Sequence, residues 1–332
     1  MNYKFLIIDK QPRIGDSNKT PYAIERLQEE ITKLGHTSDY VYNHEISIDQ
    51  KDGNYSIFVR NEDITSYTHI IMRGHFSREE YEIKRLIVEH IENFNKKNPE
   101  KQIKIQNSDF IKIMHNYSKL TQALIFSQND IPYLHSFYRA DGNYDDYQSI
   151  FNNKTVLAKH VSGENDLRPK TNISDTNTSE SNLEPSDATV KKNIYMINKV
   201  EDFAQENLNK KELKDFFLQE FTDIGEDLRL FVNGDKLISG WIRKATRSFI
   251  TVDKGEYSLL TNPEDRLIEL AKKCGTAFKS DFMAIDVIYK DDKPYVLEVN
   301  MNPGFKAYEK KIEPKDGYEI INIAKEMILS FI

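Results

Sequence analysis

The apolar positions of the first hundred residues switch repeatedly between strand and helix spacing. Phe5 to Asp9 is an apolar run, and a polar loop carries on to Lys19. Apolar residues then recur at Ala23, Ile24, Leu27, Ile31 and Leu34, one stripe of an amphipathic helix. Thr20 as N-cap and Pro21 in the first turn open it, and Gly35 closes it. Strands are predicted at Ser38–Tyr42, Ser56–Arg60, His69–Met72 and Ile103–Gln106. Between the last two, a capping box of Ser77 and Glu80 starts a helix that runs to about Asn95. Alternating strands and helices imply an α/β domain over residues 1–107 with a mainly parallel sheet. Ligands in such sheets bind beyond the carboxyl ends of the strands. That rule makes Arg73, Gly74 and His75 candidates to face a substrate, with plain surface positions as the alternative.

The pattern changes near Asn107. A helix is predicted from about Asn116 to Asn129, ended by Ile131-Pro132 and followed by a strand. Thr155 to His160, TVLAKH, is a short apolar strand interrupted by Lys159, which needs an anion partner or the freedom of an edge strand. A Ser-, Thr-, Asn- and Asp-rich tract over residues 162–192 has too few large apolar residues to order itself. Asn193–Ile197 restores a strand, a helix runs to about Asn209, and FFLQEF (Phe216–Phe221) is a buried strand. Glu226 to Ala245 forms a hairpin around Asn233-Gly234, with Asp227, Arg229 and Arg243 among apolar neighbours. A three-residue loop there puts Arg229 and Arg243 on one face, and a two-residue Asn-Gly turn puts them on opposite faces. Helices are expected at Pro263–Phe278 and about Asp316–Phe331. Between these helices, Phe282–Tyr289 and Tyr295–Val299 flank a polar break and read as a second hairpin. With a loop of Asp291 to Lys293, Asp286 lies opposite Glu298, and Asn300 projects from the same face. Opposed carboxylates repel, so they shift pKa, pair, or bind metal. An oxygen-only set without His or Cys suits Mg²⁺. The alternative, an exposed face with scattered acids, fits poorly with the Asn-Met-Asn-Pro-Gly turn that fixes the strand tip.

Length and composition narrow the class. At 332 residues the chain has room for two or three domains, and 18 Tyr with 18 Phe argue for packed cores. A net charge of −7 gives no support for a nucleic-acid partner. The one cysteine, Cys274, excludes an intrachain disulfide and fits a reducing compartment as a core thiol. The N-terminal apolar run is too short for a signal peptide, and no stretch reaches a membrane span. A cytoplasmic protein without membrane or nucleic-acid partners is therefore expected, and a homo-oligomer is left open.

IDV followed by LEVNMNPGF (Ile285 to Phe305) resembles the metal-binding signature of the ATP-grasp superfamily, specifically the RimK-like carboxylate–amine ligases. The resemblance extends over residues 107–332, and the N-terminal third is similar only in layout. It implies an α/β pre-ATP-grasp domain, then an ATP-grasp fold of two α+β subdomains, 108–217 and 218–332, that clamp ATP. By the same resemblance, Asp286, Glu298 and Asn300 hold two Mg²⁺ ions, and Lys119 and Lys159 contact the nucleotide phosphates. Gln219, Glu220, Phe221 and Thr222 read the adenine edge, with Asp227 also in the nucleotide site. Arg229 and Arg243 lie beside the transferring phosphate and the substrate carboxylate, where a planar fork of fixed charge is suited. Two departures stand out. A glycine-rich phosphate loop is reduced to Gly163, and Thr251-Val252 stand where an asparagine is usual. The implied reaction is ATP-dependent ligation of a small-molecule or peptide carboxylate to an amine through an acyl phosphate. A ligase or cyclase acting on side chains of a ribosomal precursor peptide, a small-molecule kinase and a non-catalytic nucleotide binder are the other readings.

Overall fold

The computed structural model describes residues 2–10, 20–74, 78–114, 118–162, 194–222, 225–245, 255–315 and 317–332. The chain begins with β1 (Lys4–Asp9), α1 (Tyr22–Lys33), β2 (Thr37–Tyr42), β3 (Ile46–Lys51), β4 (Asn54–Val59), β5 (Glu62–Asp63) and β6 (His69–Met72). It continues through α2 (Arg78–Lys97), β7 (Lys104–Ile105), α3 (Ser108–Ile113), α4 (Lys119–Gln128), β8 (Ser136–Phe137), α5 (Tyr147–Ile150) and β9 (Val156–His160). Then come β10 (Ile194–Ile197), α6 (Glu201–Gln205), α7 (Lys210–Leu213), β11 (Phe216–Glu220), β12 (Glu226–Asn233) and β13 (Lys236–Ala245). The last elements are β14 (Gly255–Leu259), α8 (Asp265–Phe278), β15 (Phe282–Lys290), β16 (Lys293–Asn300), α9 (Lys306–Lys311) and α10 (Ile323–Leu329).

Two compact units result, and they cut across the expected three-way division. One joins Met1–Tyr133 to Thr222–Ile332, and the other is Leu134–Phe221. In the first unit, a parallel sheet of order β2-β1-β6-β7 and an antiparallel sheet of order β14-β13-β12-β15-β16 share their packing. One face of the second sheet buries Leu228, Leu230, Ile285 and Val299 with Ala271, Cys274 and Phe278 of α8. Its other face puts Phe231, Phe282 and Ala284 among Phe5, Ile7 and Ile71 of the parallel sheet and Met327 and Ile328 of α10. Both faces are thus covered by residues of the first unit, and buried residues of the N-terminal third belong to the same two clusters. In the second unit, β10-β9-β11-β8 buries Val156, Ala158 and Leu218 against Tyr144, Tyr147 and Phe203.

One residue ties the N-terminal sheet to the C-terminal hairpin. Asn107 takes a left-handed backbone, φ 59°, just after β7. Its Nδ2 donates to Phe282 O (2.7 Å) and Met301 O (3.1 Å), and its Oδ1 accepts from the amides of Asp281 (2.8 Å) and Phe282 (3.0 Å). All four hydrogen-bonding positions of the amide are in use. An Asn is also among the few residues that accept that backbone conformation.

Several element boundaries differ from expectation. Pro21 rather than Thr20 caps α1, its carbonyl accepting from Ile24 and Glu25. β4 belongs to a separate antiparallel sheet, β3-β4-β5, whose first strand the polar stretch Ser47–Lys51 concealed. No long strand follows Pro132; Tyr133 makes an isolated bridge to Val296 instead. Asn209 begins a helix rather than ending one, because its side chain accepts from the amides of Lys211 and Glu212. The last helix is only Ile323–Leu329, preceded by α9. Ser77, His75 and the side chain of Glu80 lie outside the described residues.

Two stability predictions follow from these buried polar groups. Asn107→Ala leaves two amides and two carbonyls without their partner, and should lower unfolding stability by about 3 kcal/mol in urea titrations. His69 is 3% exposed among Tyr3, Phe5 and Phe331, and burial pushes its pKa down to about 4. The unfolded chain therefore binds the extra proton first. The neutral ring's contribution is complete above pH ~6.5 and is lost as the pH falls toward 4. We expect His69→Phe to flatten the stability difference between pH 7 and pH 4.5 by about 2 kcal/mol.

Candidate active site

Both hairpins of the five-stranded sheet close on two-residue turns, in place of the three-residue loop assumed for the second, and a bulge resets the register of each. In β15–β16 the turn is Asp291-Asp292, with φ 49° and 58°, and Lys290 pairs with Lys293. Continued without interruption, that register would send Asp286 and Glu298 to opposite faces. A β-bulge leaves Leu297 unpaired, and beyond it Asp286 stands opposite Glu298 and Ala284 opposite Asn300. The β12–β13 hairpin does the same. Its turn is Gly234-Asp235, Ile238 is the unpaired residue, and Asp227 then faces Arg243 while Arg229 faces Trp241. The two tight turns and the two bulges put Asp227, Arg229, Arg243, Asp286, Glu298 and Asn300 on one face of the sheet.

Charge alternates across that face. Arg243 Nε donates to Asp227 Oδ1 at 2.8 Å, and its Nη2 engages Oδ2. Arg229 holds Asp286 with two parallel bonds of 2.7 Å, Nε to Oδ1 and Nη2 to Oδ2. At the sheet edge, Lys119 Nζ pairs with Glu298. Burial disfavours the cation of Arg229, but the adjoining Asp286, with Glu298 and Asp227 beyond it, holds its pKa above the ordinary value. Arg243 is likewise raised: burial opposes its charge and Asp227 outweighs that. Burial pushes Asp227 up despite both arginines.

Lys119 reaches Glu298 because the start of α4 is pinned twice. Ser118 Oγ caps the helix by accepting from Leu120. One turn on, buried Gln122 acts as a substitute strand for the edge: its Nε2 donates to Val299 O (3.1 Å), and its Oε1 accepts from Val299 N (2.8 Å). Sequence reading missed both Gln122 and Asn107. Gln122 could have been found as an amide leading into the apolar run Ala123–Phe126, whereas Asn107 stands among polar neighbours and gives no such signal.

The second unit holds the other candidates. Lys159 is on β9, between β10 and β11 rather than on an edge, and donates to Gln219 Oε1 at 2.6 Å. Gln219 donates in turn to Ser136 Oγ (3.1 Å), and Glu220 pairs with Lys154 (2.9 Å). The amides of Glu220 and Phe221 donate to His135 O (2.8 Å) and Thr155 O (3.1 Å). Thr222 ends this segment and is half-buried. Gly163, most of the polar tract and Thr251-Val252 lie outside the described residues. Among the described residues no helix is long and apolar enough to cross a membrane.

The model of the RimK-like ATP-grasp domain matches residues 187–331, which contain both bulged hairpins. Over those residues the chain is similar to a RimK-like ATP-grasp domain. Over 97 residues it is 32% identical to the coenzyme gamma-F420-2:alpha-L-glutamate ligase of Methanococcus maripaludis, covering 27% of this chain and 34% of that one. The chain thus spans about a third of the length of the relatives it matches. Among solved structures, the ATP-grasp ligase PsnB complexed with a minimal precursor, Mg and ADP superposes with TM-score 0.59 at 12% identity, covering 98% of this chain and 96% of that one. A RiPP-associated ATP-grasp ligase of Chryseobacterium gregarium, in complex with ADP and a leader and core peptide, gives 0.60 at 16% identity over 98% and 95%. At such identities the likeness establishes the fold, an ATP-grasp fold behind an N-terminal α/β sheet.

The side chains on the sheet face are consistent with a divalent hard cation. The donors are two carboxylates and an amide, all oxygen. Among the described residues no cluster of three or more His, Cys, Asp or Glu side chains forms a metal cage. A hard ion bound there would complete its shell from water and substrate oxygens. Arg229→Met tests the electrostatics. Stripping Asp286 of its guanidinium should cost about 3 kcal/mol or more at neutral pH. Millimolar Mg²⁺ should recover stability in the variant and not in the wild type. Equal Mg²⁺ effects in urea titrations of the two proteins would remove Asp286 from any metal site.

Proposed function

We propose that this protein is an ATP-dependent carboxylate–amine ligase working through an acyl phosphate. The observation that carries the reading is the shared face of Asp227, Arg229, Arg243, Asp286, Glu298 and Asn300, with Lys119 at its edge. Asp286, Glu298 and Asn300 would hold Mg²⁺, which supplies charge neutralisation at the β- and γ-phosphates when bound. Lys119 stands beside these ligands and would pass from Glu298 to a phosphate oxygen. Lys159 is assigned to the nucleotide phosphates and the Gln219–Thr222 segment to the adenine. The Glu220 and Phe221 amides already donate within the protein, so the adenine contacts fall to carbonyl groups and to Thr222.

Arg243 and Arg229 do the chemical work on the substrate side. A carboxylate oxygen attacks the γ-phosphorus, ADP leaves, and the guanidinium forks hold the charge that spreads over the transferring oxygens. The amine then attacks the acyl carbon, phosphate departs, and the amine loses its proton. Every side chain in this scheme acts by position and charge, and none forms a covalent bond. The coenzyme-ligating relative and the peptide-bound neighbour support a ligase in general, and leave a small acid and a peptide as the two substrate classes.

Oxygen tracing tests the reaction. Acids and acidic peptides carrying heavy oxygen in their carboxylates should pass one labelled oxygen to the released phosphate, and product should require both acid and amine. Unlabelled phosphate alongside product would end the acyl-phosphate scheme. A phosphorylated hydroxyl would make the protein a kinase, and absence of ADP release a binder only. Glu298→Gln should reduce turnover at least about a hundredfold while the far-UV spectrum is unchanged.

A further inference from the structure

The parallel sheet carries a second polar site that the scheme above does not use. β1 lies between β2 and β6, so the chain leaves it to one side and returns on the other, which makes the carboxyl ends of β1 and β6 the switch point of this sheet. Asp9 ends β1, and Arg73 with Gly74 follows β6. Arg73 is 5% exposed. Its Nη2 donates to Pro303 O (3.1 Å), its Nη1 points at Met327 Sδ (3.6 Å), and the guanidinium lies 5.8 Å from the Phe305 ring. Among the described residues no carboxylate comes within ion-pair distance of it. Asp9 is near enough for its charge to be felt at Arg73, but its Oδ1 accepts from the Lys10 amide, and burial raises its pKa toward the neutral form.

The surroundings make the positive charge harder to hold. Lys84, 1% exposed, donates to Met72 O and Gly74 O, and its charge, like that of Arg73, is felt at Asp9. Burial pulls the pKa of Arg73 below its ordinary value. Gly74 has φ +80°, and a Cβ there would meet Asp9 Oδ1 at 2.6 Å, so the backbone approaches the acid closely. A guanidinium has five N–H donors, and a carbonyl and a thioether engage only two nitrogens of this one. A buried cation with three excess donors and no acid within ion-pair distance is expensive unless an anion arrives to complete it.

We propose that Arg73 binds a carboxylate of the substrate that does not react, beyond the carboxyl ends of β1 and β6. This rests on the ligase reading for what the rest of that substrate undergoes. The location fits, because Arg73 is bonded to Pro303, and Pro303 follows Asn300 by three residues, a contour of at most about 11 Å. The fork favours a carboxylate over a point anion because two parallel bonds match it. The α-carboxylate of a free amino acid and the side chain of an acidic peptide share this chemistry.

Thermal unfolding of the full chain separates them, with L-glutamate, an acetylated and amidated tetraglutamate peptide, and neutral glutaramide as probes. Wild type should be stabilised by one of the two carboxylate probes and not by glutaramide, and the larger shift names the source. Arg73→Met should unfold at the same temperature or higher, since an uncompensated buried charge is gone, and should lose the carboxylate shift. Arg73→Lys, which retains charge without the fork, should need about tenfold more probe for the same shift. A several-degree fall for Arg73→Met alone would make the guanidinium a structural clamp on Pro303 and overturn the proposal. So would a carboxylate shift that survives in that variant, or a glutaramide shift as large as the carboxylate one. A MgADP shift is measured in parallel on both proteins. Its absence from both counts against the nucleotide reading alone, since the carboxylate arms are judged without it.

Discussion

The bidentate grip of Arg229 on Asp286 is the interaction on which the candidate site depends. Asp286 and Glu298 stand opposite one another across a ladder, the arrangement a sheet tolerates least for like charges. It is tolerated here because each carboxylate has its own cation, Arg229 from the neighbouring strand and Lys119 from the helix that covers the edge. With Asp227 and Arg243 added, three acids meet three bases and the face carries no net charge. A neutral face of this kind accepts a nucleotide that brings its own cations better than a bare polyanion or a bare metal ion. In the proposed mechanism, metal and nucleotide therefore arrive together, and the internal partners are released to the phosphates.

Register is the second constraint, and both hairpins meet it by the same device. A two-residue turn matches the twist of the strands but gives the wrong face relation for the charged residues. One extra residue in the returning strand, Ile238 in one hairpin and Leu297 in the other, restores it. Bulges are common next to functional sites because they re-aim side chains without lengthening the turn. Here each bulge separates a well-paired tip from a polar half.

The N-terminal sheet is more than a preface to this site. Asn107 fastens it to the strands that carry the metal candidates, and its β6 delivers Arg73 to the turn that follows Asn300. Both contacts run through backbone carbonyls of the C-terminal hairpin region, so a shift of the sheet would move the strand tip with it.

The sequence by itself determined which charged and amide residues stand in the strands of the candidate site, and the class of most major elements. IDV and LEVNMNPGF, together with Asp227, Arg229 and Arg243, stand in apolar strands whose period marks them as half-buried, and that local information survives folding intact. The relation between Asp286 and Glu298 was read as it stands, although from a three-residue loop where the chain uses a two-residue turn and a bulge. For Arg229 and Arg243 the sequence left two face relations open, because a bulge has no dependable local signature and parity along a strand flips with one residue. The cation partners of the acids, the role of Gln122 and the joining of residues 1–133 to 222–332 were decided only in three dimensions. Lys119 and Glu298 are 179 positions apart, as far as the chain is concerned unrelated. Charge pairing and core sharing at such separations depend on which faces pack, and no periodicity within a single segment encodes that.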